Sequence, residues 1–82
     1  MIFGIYAIRD AKTSFMSLTV EYSDEAAKRN FSHAVRNAES LMNSHPNDFD
    51  LYKLGEYNSE TGEIFPATLV QSIISASAVL GK

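Results

Sequence analysis

The chain reads as an α+β fold, a small antiparallel sheet with elements in the order β-β-α-β-β-α and the helices packed on the sheet. Three observations predict it. The first is a β-rich apolar opening followed by a cleanly alternating run. The second is an amphipathic stretch from Ser23 that carries helix-start chemistry. The third is His45 to Pro66, HPNDFDLYKLGEYNSETGEIFP, which reads as a hairpin entered through a Pro-Asn-Asp turn.

Ile2-Phe3-Gly4-Ile5-Tyr6-Ala7-Ile8 is apolar at both alternating sets of positions, the pattern of a central strand covered on each side. Arg9 to Thr13 is the polar connection. A second strand follows over Met16 to Tyr22, with Met16, Leu18, Val20 and Tyr22 on one face and Ser17, Thr19 and Glu21 on a wet one. A hairpin joining these two strands is the economical arrangement. Ser23 then offers an N-cap, and Asp24 and Glu25 put negative charge in the first turn, where the helix dipole favours it. Ala27, Phe31, Ala34, Val35 and Ala38 recur at helical spacing as the buried face, and Leu41 and Met42 extend it. Pro46 disfavours helix at His45, so helical structure ends near Ser44.

Asp50 to Leu54 is strand-like, Asn58 to Gly62 turns the chain, and Glu63-Ile64-Phe65 returns. Gly62 sits where a left-handed residue closes a type I turn with a bulge, and Tyr57 pairs across with Ile64 or Phe65. A last helix is expected from Pro66 through Leu69, Val70, Ile73, Ile74, Ala76, Val79 and Leu80 to Gly81. Its β-branched residues leave open an edge strand near Thr68 to Ile74. No charged side chain lies between Glu63 and Lys82, so this segment is either deeply buried or packed against a second copy. Leu69, Val70, Ile73, Ile74 and Leu80 are the expected oligomer contacts.

At 82 residues the chain is expected to form one domain over 1–82, and its 45% hydrophobic content excludes a disordered class. The lack of cysteine removes disulfides, thiolate catalysis and cysteine-ligated zinc, and suits a reducing compartment. The net charge of −3 argues against a general nucleic-acid coat while leaving room for a local basic face. The opening MIFGIYAIRD lacks the features of a secretory signal, and no apolar run is long enough to span a bilayer.

Arg29, His33 and Arg36 fall at i, i+4 and i+7 on the polar helix face with Lys28 beside them, a spacing that reaches along a phosphate backbone. A merely solvated face is the commoner meaning of such a stripe. Tyr6, Tyr22, Tyr52, Tyr57 and Phe49 could stack unpaired bases, with Lys53 and Arg9 adding charge to the same sheet, although strand aromatics more often serve the core. His33 and His45 lack ligand spacing, so no metal is expected, and no cofactor. No nucleophile elbow or glycine-rich phosphate loop occurs, and no enzyme is expected.

The opening IYAIRDAK, the Ala27-x-Arg29-x-Phe31 arrangement, the turn HPNDFDLYKLGEY and the Thr61-Gly62 turn together resemble the small nonstructural protein of gokushovirus-type microviruses. Those phages carry single-stranded circular DNA. The segment Phe15 to Tyr22 departs from that family, which tends to have a proline- and phenylalanine-rich loop there. The resemblance implies a protein of the infected bacterial cytoplasm, absent from the mature virion. It would bind DNA or act at the switch from double-stranded replication to single-stranded genome synthesis and packaging. Arg9, Arg29 and the Tyr52-Lys53 pair are positions of the family pattern. The function expected is therefore a non-enzymatic accessory protein binding single-stranded DNA through Arg9, Lys28, Arg29, His33, Arg36, Tyr52 and Lys53. The alternative is a homo-oligomeric module that grips a host or phage replication protein without touching DNA, and a capsid-assembly scaffold is a third reading.

Overall fold

The computed structural model describes residues 1–82. Strand β1 (Ile2–Asp10) is central, flanked by the short β2 (Thr19–Glu21) on one side and β3 (Phe49–Asn58) on the other. β4 (Ile64–Ser75) forms the far edge, giving the antiparallel order β2-β1-β3-β4. Helix α1 (Asp24–Arg36) links the two hairpins. A one-turn helix α2 (Leu41–Ser44), a 3₁₀ turn at Pro46–Asp48 and a terminal helix α3 (Ala76–Leu80) complete the chain.

The helix start follows from its chemistry. Ser23 is extended, and its Oγ accepts a hydrogen bond from the Ala26 N–H at 3.1 Å, with Asp24 and Glu25 in the first turn. Ala27, Phe31 and Val35 form its buried stripe. They pack with Tyr6, Phe49, Leu51, Ala76 and Val79 into one core on one side of the sheet. Phe31, 3% exposed, is the largest helical contributor, and such burial stabilises by about 1.5–3 kcal/mol. Ala38 lies beyond the end of α1 and is exposed, and the chain restarts as α2 under a second serine cap, Ser40.

Two further expectations need correction. The second strand is regular only over Thr19–Glu21; ahead of it the chain touches β1 through a single bridge, Arg9 with Phe15. The last segment takes the edge-strand alternative over the expected helix: it is a strand through Ser75 and a helix only from Ala76. Pairing with β3 decides this, because β3 offers ladder partners at both ends of the segment, to Ile64–Pro66 and to Gln71–Ser75, and β-branched residues such as Ile74 suit a strand.

The β3–β4 hairpin turns as expected. Gly62 has φ +80°, its N–H donates to the Asn58 carbonyl at 2.8 Å, and Tyr57 faces Ile64. Further along, the ladder is irregular. Gly55 pairs with Pro66 and Lys53 with Gln71, so Leu54 alone faces the four residues Ala67 to Val70, which arch away from β3. On the β1 side the same Leu54 is an unpaired extra residue between Ile5–Gly55 and Tyr6–Lys53.

Candidate functional site

Register assigns each side chain to a face. Tyr6 belongs to the core under the helices, so its partner Lys53 shares that side, as do Gly4 and Glu56. Phe3, Ile5, Ala7 and Arg9 therefore project to the opposite face, which no helix covers. Leu54 reverses the alternation of β3, so that Tyr52 and Tyr57, five residues apart, both join them. Val20, opposite Ile5, and Tyr22, against Phe3, extend this face over β2.

Five rings stand on it. Phe3 and Tyr57 are nearly parallel, with an interplanar angle of 24° and centroids 6.3 Å apart, and Tyr22 meets Phe3 edge-on at 5.2 Å. At the other end Phe15 and Tyr52 are perpendicular with centroids 5.3 Å apart. Tyr22 is 71% exposed and Phe15 42%. Buried Ile5 and Ala7 form the floor between the two groups. Arg9 lies beside the second group, opposite Asp50 in register, and is exposed with no carboxylate within salt-bridge distance.

The expected site residues are thus divided. Arg9 and Tyr52 share the open face. Lys53 points the other way, 3.4 Å from Asp24 and 3.9 Å from Glu56. Lys28, Arg29, His33 and Arg36 belong to α1, on the helical side. Lys28 pairs with Glu25 at 3.6 Å. Arg36 donates to the Val79 carbonyl at 2.9 Å and so ties α1 to the end of α3. Arg29 and His33 are exposed and unpaired. One short ligand cannot touch the α1 stripe and the aromatic face together.

Among the residues of the expected oligomer contact, Leu69 and Val70 are exposed on the β4 arch, whereas Ile73, Ile74 and Leu80 pack against the core. Phe3 and Phe15 are not among the expected site residues; the place of Phe3 on the β1 alternation with Arg9 is the signal that finds it, while Phe15 reaches the face only through its bridge to Arg9. Tyr6 and Phe49, offered as stacking rings, are core residues.

Beneath the helices Tyr6 is 1% exposed and its hydroxyl donates to Asp24 at 2.5 Å. Burial, and then that hydrogen bond, pushes the Tyr6 phenol well above its ordinary range. The same bond, with Lys53 adding to it, holds the Asp24 carboxyl below its ordinary value. This is a brace between β1 and α1 whose phenol is buried while its carboxylate stays half open to water. No trio of histidine, aspartate or glutamate side chains converges to hold a metal ion, and no helix is long and apolar enough to cross a membrane.

Residues 3–79 match the family described as Phage ORF5 protein. The chain belongs to that phage family. No curated protein and no solved structure matches it. For this phage ORF5 family member the match spans β1 through most of α3, and so takes in every ring of the open face.

Proposed function

We propose that this phage protein is a non-enzymatic accessory factor that binds single-stranded DNA on the helix-free face of its sheet. The observation that carries the reading is the five-ring face of Phe3, Phe15, Tyr22, Tyr52 and Tyr57 beside the unpaired Arg9. Unpaired bases present flat apolar faces, and stacking each on a side-chain ring is worth about 1–3 kcal/mol. Duplex DNA keeps those faces hidden within its own stack. The resemblance to single-stranded DNA phages supports reading the site of action as the infected cell's cytoplasm, outside the virion, where genome synthesis turns to single strands. The α1 stripe of Lys28, Arg29, His33 and Arg36 is secondary in this reading, since it faces away from the rings.

Fluorescence anisotropy of a labelled single-stranded oligonucleotide tests it, with Arg9→Glu on the face and Arg29→Glu on the helix. Weakened binding in the first and unchanged binding in the second is the expected result. No binding by the unaltered protein at low salt refutes direct contact with DNA.

A second reading is favoured by β4. Ile64, Phe65, Leu69 and Val70 are all exposed along this edge, with no charge between Glu63 and Lys82 to guard it. In this reading the protein is a homo-oligomeric module that binds a replication protein. Light scattering tests self-association, and a clean monomer at micromolar concentration removes it. Capture of a protein partner that survives nuclease treatment supports this reading over DNA contact.

A further inference from the structure

We propose that the open face holds single-stranded DNA at two separate stacking stations rather than along one continuous platform, an inference that rests on the DNA-binding reading and adds the layout of its site. The first station is Phe3, Tyr57 and Tyr22; the second is Phe15 and Tyr52, with Arg9 beside it. Phe3 pairs with Tyr57, and Tyr52 pairs with Ala7. The stations are therefore four residues apart along β1, about 13 Å at the rise of a strand.

The ground between them cannot stack a base. Ile5 is 7% and Ala7 2% exposed, and the residue opposite Ile5 on β3 is Gly55, which has no side chain. Gly55 cannot gain one cheaply either, because a Cβ there would come within 2.5 Å of the Phe65 carbonyl oxygen. At each station, by contrast, the rings support one another, so less side-chain freedom is lost when a base arrives. At the 3.4 Å per nucleotide of a stacked strand, the span is about four steps. A dinucleotide fills one station, and a strand of about five nucleotides reaches both.

The charge layout agrees with a stacking-led mode. Arg9 is the cation on this face, Lys12 lies in the turn beyond it, and Asp50 stands across from Arg9. With one or two phosphates neutralised, log K should fall with log salt at a slope of only about −0.7 to −1.4.

The test is anisotropy with labelled oligothymidylates of about two, five and ten nucleotides at several salt concentrations. The most exposed ring of each station supplies a variant that leaves the core intact, Tyr22→Ala and Phe15→Ala, with circular dichroism as the folding check. The expected result is a steep gain in affinity from two to five nucleotides and a shallow one beyond. Each single variant loses about tenfold on the longer strands, the double variant about a hundredfold, and neither single variant abolishes dinucleotide binding. Binding that climbs evenly with length, or that either variant alone abolishes, overturns the two-station layout while leaving DNA binding standing. Absence of binding to every strand overturns both.

Discussion

Replacing Gly4 with alanine should cost far more than a glycine in a strand ordinarily would. A Cβ at this position would lie 2.5 Å from two carbons of the Tyr6 ring, where contact between carbons is normally about 3.5–4.0 Å. The ring must retreat by about 1 Å, and it has nowhere to go: Tyr6 is 1% exposed and its hydroxyl is fixed to Asp24 at 2.5 Å. Overpacking of this kind costs about 1–3 kcal/mol. Loss of the hydrogen bond adds about 1 kcal/mol, kept low because the Asp24 side chain is 47% exposed and water can replace the phenol. Against these stands a gain of about 0.4–1 kcal/mol from the stiffer unfolded chain. The net loss is about 1–3.5 kcal/mol, a fall in Tm of about 4–28 °C for a domain of this size. Urea titration at neutral pH reads it as a lowered midpoint at unchanged slope. Tyr6→Phe alone should lose about 1 kcal/mol, and Gly4→Ala with Tyr6→Phe should lose less than the sum. A Gly4→Ala protein as stable as the parent would refute the account of the brace.

The brace also sets two pH limits. Asp24 is held below its ordinary 3.8 by the Tyr6 hydrogen bond first and Lys53 second, so its stabilisation is present above that value and is lost as pH falls through the lower folded pKa. Tyr6 is raised above its ordinary 10.0 by burial, so its stabilisation is present below pH 10 and is lost as pH climbs beyond it; denaturant midpoints across pH should show both limbs, and Tyr6→Phe should abolish the alkaline one. Gly55→Ala should cost more than Gly62→Ala in thermal melts. The first drives a Cβ to within 2.5 Å of a backbone carbonyl, whereas the second meets nothing within 4 Å and pays only about 1 kcal/mol for its φ of +80°. Ser23→Ala should lose about 1 kcal/mol by removing the bond to the Ala26 N–H, and a neutral result in denaturant titration would contradict its capping role.

Features governed by neighbouring residues were legible in the sequence. Ser23 with Asp24 and Glu25 marks the start of α1, Pro46 the end of helical structure at Ser44, Gly62 the turn, and the doubly apolar opening the central position of β1. The segment after Pro66 was not legible, because Leu69, Ile73, Ala76 and Leu80 satisfy helical spacing while Thr68, Val70 and Ile74 suit a strand. Only pairing with β3 chooses between them, and that choice is made between residues far apart in the chain. The site failed to be read for a related reason. Alternation along β1 separates Phe3 from Tyr6, but it does not reveal which set the helices will cover. Nor does composition show that α1 lies behind the sheet, away from the rings, so whether the basic stripe and the aromatics share a surface is open in the sequence.

The supernumerary Leu54 has a consequence for how such a chain can change over time. Everything in β3 beyond it runs in the opposite phase from everything before it, which is why Tyr57 looks outward and Glu56 inward toward Lys53. Substituting this leucine alters one side chain. Deleting it would close the bulge, setting Gly55 next to Lys53 as Ile5 is next to Tyr6, and would leave Tyr57 facing outward and Glu56 inward. A lineage can therefore change this residue, or lose it, and still keep the rings on the face that pairing with β1 gives them.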